Sequence, residues 1–190
     1  KSLSKNLSKS AVVGEVNGTL VDLSYKLKNN DEVNILTFED EKAVEVMRHS
    51  TSHVMAQAVK RVFKNVKLAI GPSIDNGFYY DFDIEEPLTA EDLNKIEKEI
   101  NNIISENLNF ERVDISREEA LKLMKDRGED YKVELISDLP EGEKISLYKQ
   151  GEFIDLCRGP HIYSTKYIKA FKLTSVAGAY WRGNEKNKML

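Results

Sequence analysis

The irregular order of helical and strand-like segments constrains the fold of this chain more than any other sequence feature. Amphipathic helix spacing follows Asp40, covers residues 89–107, and resumes after a capping box that begins at Ser116. Between these segments, apolar and polar residues alternate as they do in strands. Because helices and strands are mixed without regular βαβ alternation, the sequence predicts an α+β fold with a mainly antiparallel sheet packed against helices.

The first 38 residues predict a small β-rich unit. Asn17 and Gly18 are typical of a two-residue hairpin turn, and residues 33–38 predict a further strand. Three short strands are marginal as an independent domain. We therefore expect either the remains of a small β-rich module or an extension that packs on the rest of the chain.

The remaining strands are predicted from alternation and from the turn residues around them. They cover residues 77–83, 108–115, 131–136, 145–148 and 152–155. Ile70-Gly71-Pro72 is a turn signal before the first of them.

The composition excludes several classes of protein. No run of about 18 apolar residues is present, and the first ten residues lack the apolar core of a signal peptide. The single cysteine, Cys157, cannot form an internal disulfide. We therefore expect a cytoplasmic protein with no membrane partner, whose fold is stabilised by burial.

The charge is unevenly distributed. The net charge is −4, which argues against a protein that coats nucleic acid over its whole surface. Residues 165–190, however, contain six basic residues and one acid. This segment either forms a local phosphate-facing patch or is an ordinary solvated face, and charge alone does not separate the two.

All three histidines and the only cysteine fall within two five-residue windows, 49–53 and 157–161. His49 and His53 are four residues apart on a predicted helix, so both imidazoles project from the same face. Cys157 and His161 span a Gly-Pro turn that can direct both side chains toward one point. The four residues therefore predict either a metal site or the wall of a hydrolytic pocket.

Other interpretations of the windows are weaker. A lone histidine or buried cysteine is more often structural, but four of them in two short windows rarely are. A zincin protease is excluded because its general-base Glu would follow the first histidine, where this chain has Ser50. A structural zinc site has enough ligands here but lacks the usual pairs of cysteines.

Longer motifs around these windows resemble the editing region of bacterial threonyl-tRNA synthetases. The shared motifs are Arg48-His49-Ser50-Thr51-Ser52-His53, Asp155-Leu156-Cys157-Arg158-Gly159-Pro160-His161, and the stretches 69–82 and 177–183. By this resemblance, residues 1–38 correspond to a partial TGS domain of β-grasp type and residues 39–180 to the editing domain shared with alanyl-tRNA editing proteins. Residues 181–190 would begin the linker to a catalytic core.

The resemblance implies hydrolysis of mischarged seryl-tRNA(Thr). A pocket selective for threonine cannot strongly reject serine, because one methyl group supplies only about 1–3 kcal/mol of discrimination. A second, hydrolytic site must then correct the error. The expected partners are tRNA(Thr) carrying serine and the remaining synthetase domains, and the chain itself is expected to be a monomer.

The resemblance also assigns roles to individual residues. His49 would position water or act as general base, Asp155 would hold the substrate amine, and Lys132 would steady the oxyanion or donate to the substrate. The wall of the pocket would be completed by His53, Cys157 and His161. Substrate binding is expected at Tyr79, Tyr80 and Arg158, with the tyrosine ring of residue 80 near the terminal adenosine.

The expected cofactors follow from the same comparison. Related alanyl-tRNA editing domains hold zinc with the equivalent of His49, His53, Cys157 and His161, whereas the threonyl enzymes edit without it. We therefore expect a zinc-compatible site that needs no metal for editing. ATP, Mg and a further Zn would belong to the absent catalytic core, since no segment here resembles its class II motifs.

Two further alternatives stay open. One is a non-catalytic zinc-binding RNA-interaction module, and the other is a pure interaction domain without metal or hydrolysis. Within the hydrolytic interpretation, Cys157 as a covalent nucleophile is less favoured than oriented water, because a thiolate would need a lowered pKa.

Overall fold

The computed structural model describes residues 5–190, so the first four residues of the predicted β-rich unit lie outside the described residues. Its helices are α1 (Lys5–Ser10), α2 (Glu41–Val62), α3 (Ala90–Glu106), α4 (Arg117–Asp126) and α5 (Asp130–Asp138). Its strands are β1 (Ala11–Val16), β2 (Thr19–Val21), β3 (Val33–Thr37), β4 (Lys67–Leu68), β5 (Ser73–Ile74), β6 (Gly77–Phe78), β7 (Phe82–Asp83), β8 (Glu111–Ile115), β9 (Ile145–Gln150) and β10 (Phe153–Leu156). Every strand pair among the described residues is antiparallel, which confirms the predicted α+β class.

The N-terminal sheet has the strand order β2-β1-β3. Its hairpin turns at Asn17 and Gly18, whose positive φ angles of 50° and 79° are those of a type I′ turn. Val12, Val13 and Leu36 from this sheet lie in the same apolar cluster as α2. The predicted hairpin is confirmed, and the unit packs on the rest of the chain.

The second sheet has the strand order β10-β9-β8, and other elements pack on both of its faces. Neighbouring residues of β9 point to opposite faces. Leu147 packs with Met124 of α4 and Ile136 of α5. Tyr148 belongs instead to the cluster formed by α2 and α3. Asp155, a candidate site residue, is the cross-strand partner of Tyr148 and so lies on this second face.

Helix α2 is buried continuously from Ser50 to Val59. Its buried hydroxyls are satisfied within the helix: Ser50 donates to the Val46 carbonyl and Thr51 to the Met47 carbonyl, both at 2.8 Å. Asp40 occupies the N-cap position, as predicted, but its carboxylate accepts from the Thr37 amide rather than from the helix. No helix among the described residues has the length and apolar character needed to cross a membrane.

The capping box predicted at Ser116 is present and gives a modest stability prediction. The Ser116 hydroxyl accepts from the Glu119 amide, and the Glu119 carboxylate accepts from the Ser116 amide. Ser116→Ala should lower the free energy of unfolding by about 1 kcal/mol, measured by urea denaturation. Ser105→Ala, which removes a hydroxyl bonded to the Asn101 carbonyl inside α3, is the matched control. Equal losses in both variants would contradict the capping role.

The strand predicted at residues 131–136 was wrong, because this segment lies in α5. Val133 and Ile136 have a spacing that suits one helix face as well as an irregular strand. Tertiary contacts decide the outcome: Ile136 is fully buried against α4 and β9, and Arg117 donates to the carbonyls of Ile136, Leu139 and Pro140 at the end of α5.

The single strand predicted at residues 77–83 is instead divided into β6 and β7, which pair with β5 and β4 respectively. Between β6 and β7, the Asp81 amide still donates to the Ile70 carbonyl of the facing segment. Pro72 in the facing segment has no amide proton to donate to Tyr79, so the regular hydrogen-bond ladder is interrupted there. Side-chain alternation survives, with Tyr80 and Phe82 buried.

Candidate functional site

The two windows come together as predicted. The potential ligand atoms of His49, His53, Cys157 and His161 all lie within 4.8 Å of one another. Cys157 Sγ lies 3.0 Å from His49 Nε2 and 3.3 Å from His161 Nε2. Helix α2 supplies two imidazoles from one face, and the turn after β10 supplies the thiol and the third imidazole.

His161 is held in one tautomer by Ser50, a residue to which the sequence pattern assigns no role. Ser50 Oγ lies 2.8 Å from the Val46 carbonyl, so the hydroxyl must donate there, and it accepts from the Ile162 amide. The 2.9 Å contact with His161 Nδ1 then requires the imidazole to donate. His161 Nε2 is left with its lone pair toward Cys157. The only sequence signal was the position of a hydroxyl between two histidines on one helix.

Burial sets the protonation of the cluster. It lowers the pKa of His49, and it lowers the pKa values of His53 and His161 well below the ordinary range. It also raises the pKa of the Cys157 thiol to about 12. Near neutral pH the imidazoles are therefore neutral and the thiol is protonated, which disfavours a free thiolate nucleophile at Cys157.

A buried charged network lies next to the cluster. Lys132 Nζ is 2.7 Å from Asp155 Oδ1 and donates to Tyr80 Oη at 2.9 Å, while the Tyr80 hydroxyl donates to Asp155 Oδ2 at 2.5 Å. Asp155 also accepts from the Leu156 amide. His53 Nδ1 lies 3.8 Å from Asp155 Oδ2, so the network adjoins the histidines without a hydrogen bond to them.

The structure changes what is expected of Lys132 and Asp155. Residue type alone suggests an exposed lysine and a solvated carboxylate, but the two side chains are only 4% and 2% exposed. An ion pair buried to this extent is rare unless both charges are satisfied. The resemblance pointed to both residues, whereas composition and periodicity did not.

The three predicted substrate-binding residues differ in exposure to solvent. Tyr80 is buried, with its ring stacked 5.0 Å from Phe82, so this conformation offers little of the ring to a nucleobase. Tyr79 is exposed beside it. Arg158 is largely exposed and pairs with Glu143, so it lies at the surface of the turn rather than in the cluster.

The basic segment at residues 165–190 is partly neutralised. Lys172 pairs with Glu97, and Lys188 pairs with Asp83. Arg182 pairs with two acids of α5. Half of the six basic side chains are thus engaged by acids, which weakens the case for a phosphate-facing patch.

The donor set fits a zinc ion. Three imidazoles and one thiol are typical zinc ligands, and bond lengths of about 2.0–2.3 Å place the ligand atoms of a tetrahedral site about 3.3–3.8 Å apart. The separations here approach this range. His53 Nδ1 is buried and makes no hydrogen bond among the described residues, and Ser50 provides the outer contact that orients a metal-binding imidazole.

Comparisons with known proteins identify relatives of this chain. Residues 145–190 match the family described as the threonyl and alanyl tRNA synthetase second additional domain, and residues 1–37 match the TGS domain. The threonine–tRNA ligase of Acetivibrio thermocellus is 62% identical over 190 residues, and that of Caldanaerobacter subterraneus subsp. tengcongensis is 60% identical. Each alignment covers 100% of this chain and 30% of the relative, so the chain spans less than a third of these ligases. The chain belongs to the threonyl-tRNA synthetase family and carries its TGS and second-additional-domain region.

Proposed function

We propose that this chain hydrolyses the ester that joins serine to the 3′ end of tRNA(Thr), and so removes an amino acid attached in error. The observation that carries the proposal is the convergence of three imidazoles and one thiol beside a buried Lys132–Tyr80–Asp155 network. Ester hydrolysis needs a positioned water, a proton acceptor and donors for the developing oxyanion. The cluster supplies imidazoles that can position a water and accept its proton, and Lys132 supplies a donor for the oxyanion.

His49 is the best candidate for the proton acceptor. It is partly exposed, whereas His53 and His161 are 2% and 1% exposed, so it is the imidazole that solvent and substrate reach first. In the proposed reaction, water attacks the ester carbonyl and transfers a proton toward His49. The tetrahedral intermediate then releases serine, and the departing 3′ oxygen takes up a proton.

Lys132 and Asp155 have linked roles in this proposal. The Lys132 ammonium is the cation next to the cluster and would stabilise the oxyanion. Asp155 already accepts from Lys132, Tyr80 and the Leu156 amide. We infer that it orients Lys132 and Tyr80, and that it contacts the substrate amine only if that amine displaces one of these donors.

The buried groups also suggest how serine is preferred. A hydrolytic pocket that admits serine but has no space for an additional methyl group would spare correctly charged threonyl-tRNA(Thr). Tyr79, the exposed neighbour of Tyr80, is proposed to contact the terminal base. Arg158 would contact the phosphate backbone from the surface of the turn.

A bound zinc would be held by His49, His53, Cys157 and His161, and it would supply Lewis acidity and a lowered pKa for a coordinated water. We propose that editing proceeds without it. We also propose that a protein containing this region ligates threonine to tRNA(Thr), the activity that the names of its relatives print, and that it uses ATP.

The test is deacylation of seryl-tRNA(Thr) and threonyl-tRNA(Thr) by the purified chain, with and without a chelator. We expect selective loss of serine that resists chelation. Loss of activity on chelation would assign the cluster to zinc catalysis. Stoichiometric zinc without hydrolysis would favour the alternative, a zinc-binding RNA-interaction module, for which the donor set is the supporting observation.

A further inference from the structure

A carboxylate from the N-terminal sheet reaches the turn that carries His161. Asp22 directly follows β2, and its two oxygens accept from the His161 amide at 2.8 Å and from the Tyr148 hydroxyl at 2.6 Å. These partners lie 139 and 126 positions away in the sequence. One side chain therefore connects the N-terminal sheet both to β9 and to the turn that carries Cys157 and His161.

Tyr148, the second partner of Asp22, packs closely against the 157–161 turn. A Cβ atom at Gly159 would lie 2.0 Å from Tyr148 Oη, so the hydroxyl fits closely over the turn. The Tyr148 ring also contacts the His161 ring edge-on, with centroids 4.4 Å apart. Burial, followed by the hydrogen bond to Asp22, raises the pKa of Tyr148, so the hydroxyl remains a donor.

The main chain of the turn is attached at several points, since the Arg158 carbonyl accepts from Arg112 and the Ile162 amide donates to Ser50. Cys157 is fixed at the start of the turn by reciprocal bonds with Ser146, and the His161 side chain is fixed by Ser50. The backbone amide of His161 bonds to Asp22. Without that carboxylate, a part-buried amide loses its acceptor and the end of the turn loses its link to the N-terminal sheet.

We propose that Asp22 is a positioning residue for the hydrolytic site, which holds the 157–161 turn so that His161 Nε2 faces Cys157 Sγ. Through Asp22, the N-terminal sheet then helps to set the geometry of the site. This inference rests on the proposed function, because the activity it adjusts is ester hydrolysis. Asp22 itself lies behind His161 and acts through the main chain and Tyr148.

The test compares Asp22→Ala with Asp22→Asn and with Glu15→Ala. Glu15 pairs with Lys42 and likewise links the N-terminal sheet to α2, but away from the cluster, so its loss is the matched control. We expect Asp22→Ala to lower kcat for seryl-tRNA(Thr) about tenfold with little change in KM, because small displacements of reacting groups are costly. The amide oxygen in Asp22→Asn still accepts from His161, so most of the activity should return. Glu15→Ala should retain wild-type kcat.

Nuclear magnetic resonance of the His161 amide and imidazole nitrogens provides a second readout that does not depend on activity. Asp22→Ala should shift both signals and Glu15→Ala should not. Equal kcat values for Asp22→Ala and Glu15→Ala, or unchanged His161 signals in Asp22→Ala, would overturn the proposal. If the wild-type chain does not hydrolyse seryl-tRNA(Thr), the proposed function fails, and the His161 signals alone decide whether Asp22 positions the turn.

Discussion

Lys132→Met is expected to lower the free energy of unfolding by about 3–5 kcal/mol, because it leaves a buried carboxylate without its cation. Asp155 is 1% exposed and would retain only the Tyr80 hydroxyl and the Leu156 amide as donors. Chemical denaturation monitored by circular dichroism measures the change. Methionine keeps most of the lysine stem volume, so the loss reports the charge rather than a cavity.

Two further variants make the stability experiment specific. Lys67→Met removes the same side chain from an exposed pair with Asp130, where the expected loss is below about 1 kcal/mol. The double variant Lys132→Met with Asp155→Asn should recover much of the stability lost in Lys132→Met, because it also removes the unpaired charge. Similar losses for Lys132→Met and Lys67→Met would show that the buried pair contributes no more than a surface pair.

His49→Ala is expected to reduce deacylation of seryl-tRNA(Thr) by about 100-fold or more, the range for loss of a general base. The rate is measured under single-turnover conditions, so that binding and chemistry separate. Stability should change far less than in Lys132→Met, because His49 is only partly buried.

The matched control for this measurement is Lys42→Ala, an exposed change on the same helix that should leave the rate unaltered. A His49→Ala variant that still deacylates at the wild-type rate would remove His49 from the mechanism. The general-base role would then have to pass to another group of the cluster.

Local geometry made each half of the cluster predictable, whereas the approach of the two halves depends on contacts between residues 108 positions apart. The i, i+4 spacing of His49 and His53 places both on one face of any α-helix, and the Gly-Pro turn brings Cys157 close to His161. The hairpin at Asn17-Gly18 and the capping box at the start of α4 were equally predictable, since each depends on residues a few positions apart.

Features that depend on distant contacts were not accessible in the same way. Asp22 lies 139 positions from its partner at His161, and nothing near it in the sequence indicates that contact. The burial of Lys132 arises from the docking of α5, a helix whose sequence also suits a strand. Local propensity cannot decide such cases, because tertiary packing overrides it.

The continuous burial of α2 bears on how strictly the proposed site would discriminate serine from threonine. The helix that carries His49 and His53 is fully enclosed over Ser50–Val59, and interiors packed to this degree have low compressibility. In the proposed editing site, a pocket wall built on such a helix would resist one extra methyl group, so the steric penalty would fall on the substrate. Selectivity for serine would then derive from the stiffness of the wall as much as from its shape, and mutations that loosen the core behind α2 would increase wasteful cleavage of threonyl-tRNA(Thr).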